Sequence, residues 1–112
     1  MPKSYSREYL DRLNILRNTA WNKPGIQLAN VCVNANLPAT NVAEIFQVSR
    51  MSIHSWFRGK YIREKNVRKI EKFIGLIKLD TEIGLLPASN PRQAKLYLEK
   101  NIKEHFINNL GV

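Results

Sequence analysis

Between residues 47 and 72 the chain carries Arg50, Arg58, Lys60, Arg63, Lys65, Arg68, Lys69 and Lys72 against only Glu64 and Glu71. Six of the nine net positive charges therefore fall in about a quarter of the sequence. The chemistry open to such a run is ionic, and it favours an anionic partner. A solvated helix face is the competing reading of any charge run. Covalent chemistry has no comparable set of residues. Paired carboxylates, a phosphate-cradling glycine loop and a cysteine–histidine spacing are all missing, so an enzyme is not expected. Cys32 is the single cysteine and reads as a small buried apolar residue. His54 has only His105 as a histidine partner, so neither a metal site nor a cofactor is expected.

The rest of the chain must fold to present those charges. Its 112 residues suit one domain with a short appendage, and a hydrophobic fraction of 44% is enough to bury one core. No stretch approaches the length of a bilayer span, and the first residues lack the apolar segment of a signal peptide. With one cysteine there is no internal disulfide, which points to a reducing cytoplasm.

Hydrophobic spacing is helical throughout, and strand-like alternation is absent. Ser6 is placed to cap a helix over 6–18, with Tyr9, Leu10, Leu13 and Leu16 on an apolar stripe and Arg7, Arg12 and Arg17 fanned around it. This helix packs on the main domain, forms a dimer contact or serves as a basic arm. A proline and a glycine at Pro24 and Gly25 break it from a second helix over 25–35, whose inward face is Leu28, Val31, Cys32 and Ala35. Pro38 opens a third helix with Val42, Ala43 and Phe46 inward. Gln47 and Val48 make a turn, Ser49 caps a helix over 50–58, and Gly59 suits the left-handed residue that ends it. Ile53 and Trp56 are three apart and read as core, while Phe57 packs on the next helix or lies partly exposed. Val67, Ile70, Phe73, Ile74 and Ile77 predict a helix over 64–78 with Arg68, Lys69 and Lys72 outward. Gly75 either ends this helix or sits inside it. After a mixed connection, with a short helical turn after Asp80 as one option, Asn90 and Pro91 form a cap and first-turn pair. The last helix runs to about residue 109, with Ala94, Leu98, Ile102 and Phe106 four apart.

Residues 36–60, NLPATNVAEIFQVSRMSIHSWFRGK, resemble the helix-turn-helix of the Cro and lambda-repressor-like family of bacteria and their phages. The likeness rests on Ala43 where two helices approach, the Val48–Ser49 pair closing the turn, the anchors Ile53 and Trp56, and Gly59 at the end. Downstream, NVRKIEKFIG is similar to the family's next helix, and the resemblance covers roughly residues 25–76. The departure is Gln47, where the family usually has glycine because the residue tends toward positive φ.

The resemblance implies double-stranded DNA binding by insertion of the helix 50–58 into the major groove. Base contacts would come from Arg50, Met51, Ser52 and Ser55, and phosphate contacts from Thr40, Asn41, His54, Arg58, Lys60, Tyr61 and Arg63. Arg50 suits a bidentate bond to guanine, and Met51 suits a thymine methyl. Such proteins usually read paired half-sites as symmetric dimers. The expected state is thus a homodimer on a palindromic site, joined by the last helix or, second, the first. The implied role is transcriptional regulation, repression included, in the bacterial cytoplasm or nucleoid, with no small-molecule effector and no membrane. Two other jobs compete: the recognition subunit of a phage packaging or replication complex, and a basic helical protein that binds a protein such as a polymerase. RNA fits the charge but not the motif.

The expected fold is all-α. It is a compact helix-turn-helix bundle of about four core helices with an extra N-terminal and an extra C-terminal helix. The divisions are an N-terminal helix at 1–21, the DNA-binding domain at 22–79, and a C-terminal helical extension at 80–112 that serves oligomerisation.

Overall fold

Two left-handed residues, Asn36 and Gln47, cut the middle of the chain into three short helices that stack on one core. A computed structural model describes residues 5–12 and 23–107. Residues 7–12 are helical. They are followed by α1 (Pro24–Ala35), α2 (Ala39–Phe46), α3 (Arg50–Phe57), α4 (Glu64–Glu82) and α5 (Pro91–Tyr97). A π-helical turn (Leu98–Ile102) then leads without a break into α6 (Lys103–Ile107). No strand occurs among the described residues, and the all-α expectation holds. None of the described helices is long and apolar enough to cross a membrane. The predicted helix over 6–18 is described only in its first half, so Leu13, Leu16 and Arg17 lie outside the described residues, as does the predicted end of the last helix beyond residue 107.

The caps follow local chemistry. Pro24 stands in the first turn of α1, where its missing N–H costs nothing. The Ser49 side chain accepts the Ser52 N–H at 3.1 Å, and the Asn90 side chain accepts the Gln93 N–H at 2.9 Å. Each such cap contributes about 1 kcal/mol. Helix α1 packs on α3 and α4, α2 packs on α3, and the C-terminal segment lies across α2. Leu28, Cys32, Val42, Ile53, Phe57, Ile70 and Phe73 are buried in one cluster, and Trp56 joins them. Phe57 is fully enclosed, which settles its two readings in favour of packing.

Three expectations need correction. Helix α1 starts at Pro24, one residue before the expected start, so Gly25 lies inside the helix and not in a turn. It is the second residue of α1, and a Cβ there would stand 1.9 Å from the Trp56 carbonyl oxygen. The glycine is what lets α1 and the end of α3 touch backbone to backbone. Helix α4 passes through Gly75 and ends four residues later than expected, at Glu82. Beyond it Gly84 takes φ +88° and the Leu85 N–H reaches back to the Asp80 carbonyl. A glycine inside a helix costs only about 1 kcal/mol, which nineteen residues of otherwise good pattern outweigh.

The third correction concerns the last helix. Ala94, Leu98, Ile102 and Phe106 are all buried against the protein's own core, so this stripe is not available as a dimer contact. Phe106 sits 5.7 Å from Phe46 and 6.3 Å from Phe73 between ring centroids. The π turn explains how four residues spaced by four share one face. In an α-helix each four-residue step drifts by about 40°. The wider π turn between Leu98 and Ile102 rotates the stripe back toward the core. Three side-chain ties help to join residues 85–107 to α4 and the rest of the fold. Asn36 Nδ2 donates to the Ala88 carbonyl at 2.9 Å, Tyr97 donates its hydroxyl proton to Asp80, and Lys72 Nζ donates to the His105 carbonyl at 2.9 Å.

Candidate nucleic-acid interface

The turn between α2 and α3 is where local and tertiary demands meet. Gln47 takes φ 58° and ψ 44°, the left-handed geometry expected at this position. For a side-chain-bearing residue this costs roughly 1–2 kcal/mol. The cost is offset in part because the Gln47 N–H reaches the Glu44 carbonyl at 3.3 Å and the Val48 N–H the Ala43 carbonyl at 3.1 Å. Two of the loose carbonyls at the end of α2 are thereby satisfied. Ser49 then starts α3 in extended geometry.

Helix α3 is two-faced. Ile53, Trp56 and Phe57 are buried, with Trp56 edge-on to Phe46 at 5.7 Å between centroids. The opposite face carries Arg50, Met51, His54, Ser55 and Arg58. Met51 is 79% exposed, a large apolar side chain held out in solvent. Arg50 and Arg58 are exposed, whereas Ser52, His54 and Ser55 are half-buried. Ser52 is less available than the pattern implies, because its hydroxyl lies 3.0 Å from the capping hydroxyl of Ser49.

The N-terminal segment is set against this face. Tyr5 donates its hydroxyl proton to the Leu37 carbonyl at 2.6 Å, and Tyr5 and Tyr9 stack at 5.5 Å between centroids. Tyr9 Oη and His54 Nδ1 are hydrogen-bonded at 2.8 Å. Burial raises both phenols, Tyr9 to about 12, so both stay protonated. Burial also holds His54 below the usual imidazole range, and the guanidinium groups of Arg50 and Arg58 add to that. His54 is thus neutral near pH 7 and brings no charge to a phosphate. Its expected role as a phosphate contact is reduced to the one ring nitrogen, Nε2, that Tyr9 does not engage.

The other expected backbone contacts separate into two groups. Thr40 lines an open groove of about 270 Å³ together with Tyr5, Ser6, Tyr9, Arg50 and His54. Asn41, its neighbour, instead lines a cleft toward Lys95, Glu99 and Lys103 of the C-terminal segment. The two neighbours thus line different openings on either side of the start of α2. Arg58, Lys60, Tyr61 and Arg63 are all exposed on the link from α3 to α4, Tyr61 at 86%. Gly59, at φ +83°, sends the chain out of α3 into this link, and Lys23 Nζ donates to its carbonyl at 3.4 Å.

Farther on, the basic run divides. Arg68 pairs with Glu64 at 3.3 Å on the surface of α4, a contact of small energetic weight. Lys72 is exposed on α4 as expected, but its Nζ also donates to the His105 carbonyl and stands 5.5 Å from the Phe106 ring centroid, so this cation is already engaged within the fold. Tyr9, Gly25 and Lys23 take roles in this region that the sequence pattern did not assign to them. Their roles depend on partners 30 or more positions away. Among the described residues no group of three or more histidine, cysteine or acidic side chains is gathered to hold a metal ion. Cys32 is enclosed, with its thiol pushed up by burial, and has no exposure for reactivity. No family model matches the chain, and no curated protein or solved structure matches it either.

Proposed function

We propose that the protein binds double-stranded DNA by laying the outward face of α3 into the major groove. The observation that carries this reading is the division of α3. Ile53, Trp56 and Phe57 hold the helix rigidly, while Arg50, Met51, Ser55 and Arg58 stand on the side turned away from the core. A groove about 12 Å wide admits one such helix, and base edges there carry a donor and acceptor pattern. Arg50 and Met51, near the start of α3, serve as base readers, with Ser55 one turn on. Ser52 is a lesser contributor because its hydroxyl already touches the cap.

Affinity comes from a neighbouring set of residues. Arg58, Lys60, Tyr61 and Arg63 extend past the end of α3 and suit the phosphates of the groove wall. Thr40 joins them from the N-terminus of α2, whose dipole favours an anion. With about six phosphates neutralised per bound unit, log K falls with log salt at a slope of roughly −5. The role that follows is the cytoplasmic one of a regulator, a Cro-like repressor among the options, acting as a homodimer on a palindromic site.

Selection from random duplex DNA, repeated at two salt concentrations, tests this. Enrichment of a palindrome whose half-sites lie one helical turn apart is expected. Absence of enrichment at both salts, with stable capture of an acidic protein instead, overturns the DNA reading.

A further inference from the structure

Leu79, Ile83 and Leu85 form the largest gathering of exposed aliphatic side chains among the described residues, at 57%, 66% and 50% exposure. They cluster because α4 ends there. The Ile83 N–H bonds back to the Leu79 carbonyl, and the Leu85 N–H to the Asp80 carbonyl, which folds the chain over the last turn. A patch of this kind on a water-exposed helix marks a contact surface. We infer that it is the surface on which a second copy of this chain docks, α4 against α4 and antiparallel.

Charge selects the occupant. A chain of net charge +9 repels its own copies over most of its surface. The two halves of α4 differ in this respect. Residues 63–72 carry Arg63, Lys65, Arg68, Lys69 and Lys72 against two glutamates, whereas residues 73–85 carry only Lys78, Asp80 and Glu82. The apolar patch lies in the second half, where two copies can meet without stacking cation on cation. The same near-neutral surface gives DNA nothing to bind.

Spacing gives the register. Gly75, Leu79 and Ile83 follow one another at four-residue steps along the exposed side of α4. A two-fold axis at Leu79 sets each Leu79 on its copy and each Gly75 opposite the Ile83 of the other chain. No atom lies within 4 Å of a Cβ built at Gly75, so the position leaves open space for that incoming side chain. The same axis brings Lys78 alongside the other copy's Glu82, twice over. These pairs lie on one flank of the contact, because a two-fold axis across antiparallel helices returns each flank to itself. The patch is smaller than the roughly 800 Å² per partner of a standard interface, so the free dimer is a weak one, with Kd in the micromolar range or above. The inference stands on α4 alone and needs no DNA to be tested.

Sedimentation of the full chain without DNA, from 1 µM to 1 mM (roughly the span in which so small an interface associates), is the experiment. A reversible monomer–dimer equilibrium is expected. Leu79→Asp should weaken it at least about tenfold, the loss of one desolvated aliphatic contact on each side. Both variants, Leu79→Asp and Lys78→Glu, should keep the helical circular dichroism of the folded monomer, with the melting temperature lowered only by the small cost of a carboxylate near the C-terminal end of α4 and by loss of the dimer. Lys78→Glu should weaken the dimer, and Lys78→Glu with Glu82→Lys should restore it, which a general solubility effect does not do. A Leu79→Cys variant should oxidise to a covalent dimer across the axis, while Cys32, enclosed in the core, stays reduced. A monomer throughout the range, or a dimer indifferent to Leu79→Asp and to the charge exchange, overturns the inference. DNA selection that fails while the dimer forms as described overturns only the DNA reading.

Discussion

Helix α3 and the C-terminal segment 91–107 present the same signature in sequence, apolar residues at helical spacing with polar residues between. In the fold they have opposite fates. Both bury their apolar stripes, Ile53, Trp56 and Phe57 in one and Ala94, Leu98, Ile102 and Phe106 in the other. What remains of α3 is a face carrying two arginines and an exposed methionine beside a basic link. What remains of the C-terminal segment is a mixed surface that includes Lys95, Glu99, Lys100, Lys103 and Glu104, its charges of both signs interspersed. Apolar periodicity reports that a face is covered, and it does not say by what. The functional content lies in the face left over and in the charge around it.

The comparison breaks first at Phe106. If the C-terminal segment is core, Phe106→Ala should lower the stability of the protein by about 3–5 kcal/mol, measured by urea denaturation. Were the segment an independent appendage, the midpoint would not move. Next in size is Gly25→Ala, which drives a methyl group against the Trp56 backbone. A loss of about 1–3 kcal/mol is expected, together with a shift in Trp fluorescence as α3 is pushed out of register.

On the other side of the comparison the two larger effects fall on binding and leave stability alone. Arg50→Ala should cost about 1–3 kcal/mol of discrimination between sequences, read as a flattened preference in competition binding. Lys60→Ala should weaken all sequences alike and reduce the salt slope by about 1. The reverse assignment of these two outcomes would exchange the roles of base reader and backbone clamp. Smaller again is Gln47→Gly. Relief of the left-handed strain should stabilise the fold by up to about 1 kcal/mol in chemical denaturation, because glycine adopts φ 58° freely.

The smallest effect is one of pH. His54 in the folded protein is held below its unfolded value, so the folded state binds this proton less readily than the unfolded chain. The neutral ring's contribution is complete above the unfolded value near 6.5. It is lost as pH falls through the lower folded value. Denaturation midpoints between pH 7 and pH 5 should therefore fall more steeply for the native chain than for His54→Gln, and equal slopes would show that burial and the Arg50 and Arg58 guanidiniums do not hold His54 below its unfolded value.

Much of this architecture is legible along the chain because it depends on near neighbours. Ser49 and Asn90 cap helices three residues away, Pro24 and Pro91 occupy first turns, and Gly59 takes the positive φ its position demands. The burial of Trp56 follows from its spacing to Ile53, and its bulk alone would have suggested a surface contact instead. The start of α4 is equally local, whereas its end is not. Gly75 and the residues after it are compatible with a stop or with continuation, and the contacts of Leu76 and Ile77 with the core decide.

The division therefore runs between interactions of a few residues' reach and interactions across the fold. Local spacing determines an all-α chain, its caps, the inward side of each helix and a basic stretch past α3. Tertiary structure alone decides that Asn36 reaches Ala88, that Tyr9 meets His54 45 positions later, that Lys72 turns toward His105, and that the last stripe closes the core. The physical reason is that helix formation is governed by hydrogen bonds to residues three or four away, whereas hydrophobic attraction has no direction. An apolar stripe will pack on whichever surface the folded chain brings to it.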